Sequence, residues 1–475
     1  MKMLRRILAA RPPRGRARPG GLALAGLLLA AIVIQPLGAV SRATAAPAFS
    51  FFTVYYPLYL MGGSYVYPVK YFVPKTVTPA RASMEALIAG LPDKGGARLI
   101  PLPKDAKVLN VNIKDGVCTV DFSEEIRKVN VGSGGESAII SSIVSTLSQF
   151  QNVNWISILV AGKLLETLAG HVDVSGPLAR DIGPVFQVLE DVTQHWAGGA
   201  VAALQIADIV SGYPDGAFRP ENKVSRSEFV KMLVEGLSLS SEVSGTTVPF
   251  NDVEGHWAAS YIWRAIAAGL VKAPDYGPSF RPDEVIPREE MAALLVSAST
   301  IYLAAHPEVR YETLGQAPVF TDLGAAQERY RASVQESARL GLLKGFPDGS
   351  FQPKSGLTRA EAATVIARVL GMSGSADILR AAPPTGFKWD GGSFSVLAPA
   401  IAFEANVNLR VTGPGGTDVL ASYVTASQGM GWGVLGVYVD GALLSGQSAA
   451  AFELYLVSMK DGHEYSTVSL PLTAK

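Results

Sequence analysis

Three arginines could bind an anion, because each holds the same place in one of three similar stretches of the sequence. Arg226, Arg288 and Arg359 each come just after the residue at which a helix is expected to begin. The free N–H groups and the dipole of a helix N-terminus favour negative charge. A guanidinium adds a two-point donor that matches a carboxylate or a phosphate. The three arginines therefore predict contacts to an anion, with purely structural ion pairs as the alternative.

Two tryptophans could contact a sugar. Trp196 and Trp257 each follow a histidine, His195 or His256, at the start of an apolar helical pattern. An indole ring can stack on a sugar ring, but a tryptophan at the start of a helix can equally anchor the core. Neither histidine has a cysteine or a carboxylate at metal-ligand spacing, so no metal site is predicted. Both interpretations of the tryptophans stay open.

Two Asp-Gly pairs predict tight turns near the arginines. Asp215-Gly216 and Asp348-Gly349 each follow a proline. Proline sets φ, aspartate bonds the local backbone and glycine adopts a positive φ, and together they favour a turn. The phenylalanines further along each copy are expected to anchor the core: Phe218, Phe280 and Phe351.

Capping motifs predict where the helices that carry the arginines begin. Ser225-x-x-Glu228 and Thr358-x-x-Glu361 have the form of a capping box. In this motif the hydroxyl and the carboxylate accept hydrogen bonds from free backbone N–H groups at the helix start. Each glutamate is therefore expected to cap its helix, with a ligand contact as the alternative.

These residues recur because the stretch from Asp191 to Leu370 contains three copies of one unit. Such self-similarity indicates a repeat architecture. Within a copy, an apolar helical pattern precedes the turn, as Ile262, Ile266 and Leu270 show in copy two. Each copy is therefore expected to contain two helices, one before the turn and one after it.

The three copies resemble S-layer homology (SLH) domains. The resemblance rests on four elements, seen as Asp191-Val192, His195-Trp196-Ala197 and Gly212-Tyr213-Pro214-Asp215-Gly216-Ala217-Phe218 in copy one and as Thr358-Arg359-Ala360-Glu361 in copy three. It implies a mainly α-helical, three-pronged module that binds a pyruvylated secondary cell-wall polysaccharide attached to peptidoglycan. It also implies that the three arginines and the Asp-Gly turns line the binding grooves. The copies span residues 186–239, 249–303 and 318–372.

The copies depart from the motif in different ways. Copy two has Ala273 in place of the first loop glycine and Pro287 in place of the hydroxyl cap. Its groove is expected to be the weak one, so that replacing Arg288 with alanine matters little, while replacing Arg226 or Arg359 weakens polymer binding. Copy three lacks the His-Trp-Ala element and has Arg329-Tyr330 near that place, so its ligand contacts are expected to survive with altered packing.

Residues 50–180 have mixed α and β character. A hairpin is predicted around Asp115-Gly116, and Ser133-x-x-Glu136 is expected to cap a helix. His171 has no nucleophile at recognisable spacing, so no catalytic site is predicted. The segment resembles the GerMN domain of sporulation and germination proteins, which implies an α/β (α+β) fold. The resemblance rests on Ala86-Leu87 with Gly90, Ile100-Pro101, Asp115-Gly116, Val120-Asp121-Phe122-Ser123 and Thr146-Leu147.

Residues 385–475 follow a period of two. Val407, Leu409 and Val411 alternate with polar residues, which predicts a half-buried strand and, with the strands around it, an all-β sandwich. The stretch resembles the immunoglobulin-like domain of bacterial spore germination. That resemblance rests on Phe403-Glu404-Ala405-Asn406-Val407 and Val457-Ser458-Met459-Lys460-Asp461-Gly462. The whole chain is thus expected to be multidomain, with two flanking domains around the repeats.

Residues 1–45 are expected to be a secretion signal, with a basic segment, an apolar run and a cleavage site at Ala43-Thr44-Ala45. No comparable apolar run follows, so no transmembrane span is predicted in the mature chain. Cys118 is the one cysteine, which excludes an intramolecular disulfide, and it is expected to be buried. Lys plus Arg and Asp plus Glu are both 41, so bulk charge gives no attraction to nucleic acid.

The sequence therefore predicts a secreted, non-enzymatic protein at the cell wall or S-layer, held there by its repeats and displaying two flanking domains. No cofactor is implied, and the protein partners of the flanking domains are left open. The alternative is a wall hydrolase or other surface enzyme that the repeats direct to its substrate. A sporulation or germination assembly factor that works through protein contacts overlaps with the first interpretation.

Overall fold

The computed structural model describes most of the chain from Phe49 onward. The described residues are 49–60, 63–75, 78–92, 99–181, 183–213, 215–240, 249–307, 309–311, 313–374, 379–380, 392–401, 406–413, 417–427, 432–444, 451–458 and 463–472. The expected secretion signal and residues 403–405 of the expected late strand lie outside them. Within these ranges no helix is both long and apolar enough to cross a membrane.

The described α-helices all lie before residue 370. They are α1 (Pro79–Ala89), α2 (Ser133–Ser148), α3 (Gly198–Ile206), α4 (Arg226–Gly236), α5 (Ala259–Ala267), α6 (Arg288–Ala305), α7 (Glu328–Arg339) and α8 (Arg359–Val369).

The strands lie before and after the repeats. They are β1 (Phe49–Leu60), β2 (Gly63–Pro74), β3 (Val108–Lys114), β4 (Val117–Phe122), β5 (Trp155–Val160), β6 (Lys163–Leu164), β7 (Leu178–Ala179), β8 (Ser373–Gly374), β9 (Leu379–Arg380), β10 (Phe394–Ile401), β11 (Asn406–Thr412), β12 (Asp418–Thr425), β13 (Trp432–Val439), β14 (Ala451–Val457) and β15 (Glu464–Pro471).

The segment before the repeats contains a long hairpin, two helices and a small sheet. β3 and β4 form the predicted hairpin, with Asp115 and Gly116 at φ 50° and 82°, and β5 pairs with β4 in parallel. Helices α1 and α2 pack against the β1–β2 hairpin. The α/β prediction for this segment is confirmed.

Helix α2 also covers the outer edge of β1. The Gln149 side chain accepts from the Thr53 N–H at 2.7 Å and donates to the Thr53 carbonyl at 2.6 Å. These two bonds satisfy the backbone groups that a neighbouring strand would otherwise bond, which blocks edge-to-edge pairing at this point.

The predicted cap of α2 is wrong. The helix begins after Gly132, and no side chain caps it. Glu136 is fully buried and instead accepts backbone N–H groups from the loop at residues 168–172. The Glu136 carboxylate could have bonded the N–H groups at the start of α2. It bonds the N–H groups of the loop at residues 168–172 instead.

The two helices of each copy do not form a closed pair of their own. The second helix of each copy packs against the first helix of the next: α4 with α5, α6 with α7, and α8 with α3. Helix α8 also contacts α4 and α6. The three copies therefore close into a ring, and the expected phenylalanine anchors Phe218, Phe280 and Phe351 are fully buried in it.

The segment after the repeats is a β-sandwich, as the alternating pattern predicts. One sheet has the order β12-β11-β14-β15, and Val407, Leu409 and Val411 point into the core between the sheets. The other sheet has the order β1-β2-β13-β10. The second sheet therefore combines a hairpin from before the repeats with two strands from after them.

The two flanking segments are joined through β2 and β13. These strands run in parallel with Val437 opposite Lys70, and the Tyr71 and Tyr438 rings stack at 4.1 Å. The buried Tyr67 hydroxyl donates to the Leu435 carbonyl at 2.8 Å. Separate flanking domains were expected, whereas this sheet makes them one body.

Trp432 connects that body to the first repeat. Its backbone N–H donates to the Thr193 carbonyl at 2.7 Å, and its indole N–H donates to the His195 carbonyl at 3.1 Å. The ring lies on the start of α3, where a Cβ at Gly199 would come within 2.6 Å of it. Glycine is therefore required at this helix start because the indole occupies the space of a side chain.

Candidate functional site

An aspartate early in each copy fixes the backbone next to the buried phenylalanine. Asp191 accepts from the N–H groups of Phe218 and Arg219 at 2.9 and 2.6 Å. The other copies repeat this arrangement, with Asp252 bound to Phe280 and Arg281 and Asp322 bound to Phe351 and Gln352. The residue after each phenylalanine has φ 56°, a conformation that a non-glycine residue adopts rarely. The carboxylate stabilises that conformation.

The predicted Asp-Gly turns form in copies one and three. Asp215 accepts from the Ala217 N–H at 3.1 Å and Asp348 accepts from the Ser350 N–H at 2.9 Å. Gly216 and Gly349 have φ 82° and 79°. Both aspartates are therefore turn-forming residues, and any ligand contact they make is additional to that role.

Each second helix donates its first backbone N–H groups to the loop of the next copy. The N–H of Arg226 bonds the Glu284 carbonyl at 2.9 Å, that of Arg288 the Ser355 carbonyl at 2.8 Å, and that of Arg359 the Asn222 carbonyl at 2.8 Å. The expectation that these groups are free to bind an anion is wrong, because the ring of repeats uses them. The predicted anion contacts are then left to the guanidinium groups alone.

Each arginine side chain also lies against a neighbouring copy and not against its own. Arg359 of copy three lies against copy one, Arg226 of copy one against copy two, and Arg288 of copy two against copy three. We name the three places arginine site 1, 2 and 3 after the copy whose loop forms them. The expectation that Arg288 belongs to the groove of copy two is therefore wrong.

Arginine site 1 consists of Arg359, Tyr213, Phe218 and Glu228. The Arg359 guanidinium lies 4.7 Å from the Tyr213 ring and 4.8 Å from the Phe218 ring. Its Nε donates to the Phe218 carbonyl at 2.9 Å, and its Nη1 donates to Glu228 Oε1 at 3.0 Å. Arg219 lies 4.4 Å from the Tyr213 ring. The tyrosine is thus placed between two guanidinium groups.

The turn at site 1 carries its own ion pair. Arg219 Nη2 lies 2.7 Å from Asp215 Oδ2. The hydrogen bond from Arg219, together with that from the Ala217 N–H, lowers the pKa of Asp215. Both side chains are exposed, so the pair orients the turn more than it stabilises the fold.

Arginine site 2 consists of Arg226, Glu290, Tyr276 and Phe280. Arg226 Nε lies 2.7 Å from Glu290 Oε1 and its Nη2 lies 3.0 Å from Oε2, while Nη1 donates to the Phe280 carbonyl at 3.0 Å. Burial opposes the charge of Arg226, but the hydrogen bonds and charge of Glu290 raise its pKa overall. Every nitrogen of this guanidinium has a partner.

Pro287 explains why Glu290 can grip Arg226 at two points. In the other copies the glutamate at this position accepts from the backbone N–H of the cap residue, Ser225 or Thr358. Proline has no hydroxyl, so α6 has no side-chain cap. Proline also has no N–H to donate to the glutamate, and both oxygens of Glu290 bond the arginine instead. The departure seen in the sequence therefore closes site 2.

Arginine site 3 consists of Arg288, Phe346, Phe351 and Lys344. The guanidinium lies 5.2 Å from the Phe346 ring and 4.9 Å from the Phe351 ring, and its Nη2 donates to the Lys344 carbonyl. Arg288 is 6% exposed, and its buried Nε has no hydrogen-bond partner among the described residues. Burial lowers the pKa of Arg288. Arg288 was expected to matter little for polymer binding because its own copy has a degenerate loop. Its side chain instead lies in copy three, where the Asp348-Gly349 turn is intact.

The two tryptophans lie on the surface. Trp196 is 61% exposed and Trp257 is 54% exposed, so neither anchors the core. Each contacts the ring of the preceding histidine, which accepts the N–H of the alanine two residues on, Ala197 or Ala258. The other nitrogen of each histidine bonds a carboxylate. Among the described residues no group of three side chains could hold a metal ion.

Copy three replaces the missing His-Trp-Ala element with contacts from copy two. Glu289 accepts from the backbone N–H and the side-chain amide of Gln327, both at 3.0 Å, just before α7 begins. Its carboxylate also binds Lys354. The altered packing expected for this copy is therefore present, and a buried carboxylate provides it.

Sequence reasoning missed Tyr213, Arg219 and the glutamates as parts of the arginine sites. Their signal was present, because Glu228, Glu290 and Glu361 recur at one position of the repeat. The exchange of arginines between copies had no signal, since three similar units give the same spacing whichever neighbour is contacted.

Two protein families match this chain. The family described as "Sporulation and spore germination" matches residues 53–166. The S-layer homology domain matches three times, at residues 189–230, 249–292 and 319–363. The chain therefore contains a GerMN-like domain and three SLH repeats, as the sequence indicated.

Characterised relatives match part of the chain. An amylopullulanase of Thermoanaerobacterium thermosulfurigenes is 33% identical over 40% of this chain and 10% of its own length. A cellulosome-anchoring protein of Acetivibrio thermocellus is 37% identical over 23% of this chain and 25% of its own length. The S-layer protein EA1 of Bacillus anthracis is 28% identical over 36% of this chain and 19% of its own length. The chain thus spans a quarter or less of each of these relatives.

A solved structure of tandem GerMN domains from the Bacillus subtilis sporulation protein GerM is also similar. It is 25% identical, covers 32% of this chain and 50% of the GerM chain, and has a TM-score of 0.24. The SLH repeats, with the cellulosome-anchoring and S-layer relatives, indicate a secreted, cell-wall-associated protein.

Proposed function

We propose that this protein anchors itself to the bacterial cell wall by binding a pyruvylated secondary polysaccharide at arginine sites 1 and 3. The observation that supports the proposal is that each arginine side chain lies against the neighbouring copy of the ring. In copies one and three, the buried guanidinium therefore lies beside aromatic rings and a glycine turn. A guanidinium can bind a carboxylate at two points, and the rings offer apolar surface to a sugar.

Site 2 does not take part in this proposal. Its guanidinium is held by both oxygens of Glu290, and Tyr276 and Phe280 lie against it. Opening it to a ligand would leave a buried glutamate without its partner, which is costly.

The exposed tryptophans supply a second contact surface in this proposal. Trp196 and Trp257 hold equivalent places in copies one and two, and each stands beside a histidine bound to a carboxylate. An exposed indole next to polar groups suits a sugar, whose ring has both apolar C–H and polar O–H faces.

A binding experiment on the mature chain tests the anchoring function. The protein is incubated with wall sacculi that retain the secondary polysaccharide and with sacculi from which it has been stripped. Retention on the first and not on the second is expected, and Arg359→Gln should reduce it about 10-fold or more, the effect of losing a charged hydrogen bond. Arg339→Gln, which removes an exposed arginine paired with Glu336 on α7, is the matched control. Equal retention on stripped sacculi would contradict the proposal.

We also propose that the chain acts through binding and not catalysis. The two matched families are anchoring and interaction modules. His171, the one histidine before the repeats in the sequence, offers only its backbone N–H to Glu136 among its described contacts. Incubating the protein in a peptidoglycan zymogram tests this, since a cleared band would establish the hydrolase alternative.

A further inference from the structure

The arginine sites differ in how much of their positive charge is already neutralised. Each consists of one buried arginine and one glutamate at the third position of a helix: Glu228 at site 1, Glu290 at site 2 and Glu361 at site 3. The distances from arginine to carboxylate decide how much charge is left for a ligand.

At site 1 the charge is balanced. Glu228 Oε1 lies 3.0 Å from Arg359, while its other oxygen accepts the Ser225 N–H at 2.8 Å. The second arginine there, Arg219, is paired with Asp215. An incoming carboxylate would meet two guanidinium groups and two carboxylates, so the site offers a neutral, polar and aromatic surface.

At site 3 the arginine and the glutamate do not form an ion pair. Glu361 accepts the Thr358 N–H at 2.7 Å and completes its capping box, and among the described residues it makes no ion pair with Arg288. Its charge still acts on Arg288 from a distance, where the charge of Arg368 opposes it. Arg288 bonds a carbonyl and leaves Nε without a partner. A buried nitrogen without a hydrogen bond is costly to the fold, and a ligand oxygen would remove that cost.

A tyrosine hydroxyl explains the difference. At site 1 the Tyr213 hydroxyl lies 3.5 Å from Glu228 Oε1, and at site 2 the Tyr276 hydroxyl bonds Glu290. Site 3 has Phe346 in the place of Tyr213, and phenylalanine has no hydroxyl that could bond Glu361. The buried Arg288 guanidinium is thus left without an ion pair among the described residues.

We infer that the two binding sites read different parts of the polymer. Arginine site 3 binds its carboxylate-bearing residue, and arginine site 1 binds an uncharged sugar. This inference rests on the proposed function. It adds that two sites of similar sequence bind different parts of the same polymer.

Purified secondary polysaccharide tests the inference, used in its native form and after chemical reduction of its carboxyl groups. The full mature chain should bind the native polymer about 10- to 100-fold more tightly, the range expected for charged hydrogen bonds. Arg288→Gln should bind both forms equally. Arg359→Gln should weaken binding to both forms by one common factor and keep the ratio between them.

Two further variants guard against simple misfolding. Arg288→Lys keeps the charge and should retain part of the preference for native polymer. Glu228→Gln can still form a capping box but removes the charge that balances Arg359, so it should bind native polymer more tightly and reduced polymer unchanged. Arg339→Gln on α7 serves as the control for overall charge.

The outcomes separate the inference from the proposed function. If Arg288→Gln keeps the preference, or if Arg359→Gln abolishes it, the assignment of the two sites is overturned. If the unchanged protein binds sacculi but does not distinguish the two polymer forms, this inference fails and wall anchoring stands. If it binds neither polymer nor sacculi, both fail.

Discussion

Glu290 holds Arg226 by two hydrogen bonds of 2.7 and 3.0 Å, although the two residues belong to neighbouring repeats. Their side chains are 5% and 4% exposed, so water screens the pair little. Removing one partner of such a pair leaves a buried charge. We expect Glu290→Ala to lower the free energy of unfolding by about 3 kcal/mol.

Chemical denaturation of the mature chain measures this effect. Glu284→Ala is the matched control, because Glu284 lies 3.6 Å from the same arginine but is 58% exposed. We expect it to cost less than about 1 kcal/mol. A double variant, Arg226→Met with Glu290→Leu, should recover much of the loss. Similar losses from Glu284→Ala and Glu290→Ala would contradict this account.

Trp432 occupies the space above Gly199 at the start of α3. A methyl group there would lie 2.6 Å from the indole ring, so Gly199→Ala should push the tryptophan out. We expect a loss of about 1 to 3 kcal/mol, as for other overpacked sites. Amide exchange at residues 432–439 should become faster, because Trp432 fixes the start of β13.

Copy two offers the control for that variant. Ser260 holds the place in α5 that Gly199 holds in α3, and it is exposed. Ser260→Ala should therefore leave amide exchange in β13 unchanged. Unchanged exchange in Gly199→Ala as well would show that Trp432 does not depend on this contact.

Glu136 should make the loop at residues 168–172 sensitive to acid. Burial raises its pKa, but four backbone N–H bonds to the ionised form outweigh that effect, and the pKa is lowered overall. A depressed pKa means that the carboxylate stabilises the fold above its unfolded pKa of about 4.3. That stabilisation is lost as the pH falls through the lower, folded value.

Amide exchange of this loop measures the effect. Protection should be high at pH 6 and should fall below about pH 4, the range in which glutamate begins to be protonated. Glu136→Gln should weaken protection at pH 6 by about 1 to 3 kcal/mol and should make protection of the loop nearly independent of pH. Glu166→Gln, an exposed change in the same region, should not. Acid-independent protection in the unchanged protein would refute the role of the carboxylate.

Cys118 should resist thiol reagents while the protein is folded. It is fully buried in β4, and burial raises the pKa of its thiol to about 11. Since the thiolate is the reactive form, labelling at pH 8 should be slow. The urea-unfolded chain should react rapidly, which makes the thiol a probe of unfolding around β4. Fast labelling of the folded chain would show that this strand opens readily.

The features that the sequence predicted correctly depend on short stretches of chain. The capping boxes at Ser225 and Thr358, the Asp115-Gly116 hairpin and the alternating Val407, Leu409 and Val411 are each set by residues a few positions apart. Local propensity and local hydrogen bonds favour the same structure there, so the pattern is enough.

The features that it missed depend on which distant partner is chosen. Glu136 matched a capping box, yet the N–H groups of a loop about thirty residues away hold it. Arg288 was assigned to its own copy, whereas helix packing around the ring places it in the next. A single sequence contains the candidates for such contacts but gives no means of ranking them.

The pairing of β2 with β13 sets an order for folding after export. Lys70 and Val437 are partners in this sheet, and all three repeats lie between them in the chain. The edge of β1 is covered by Gln149, which is 96 residues further along the chain but still precedes the repeats. At Val66 the other edge of β2 is paired with Val185, but at residues 70–72 its partner is β13, beyond the repeats. That part of the edge stays unpaired until β13 folds, and an unpaired edge invites association with other chains. The helices of the repeats contribute no strand to this sheet, so the ring of repeats can close before the sheet is complete.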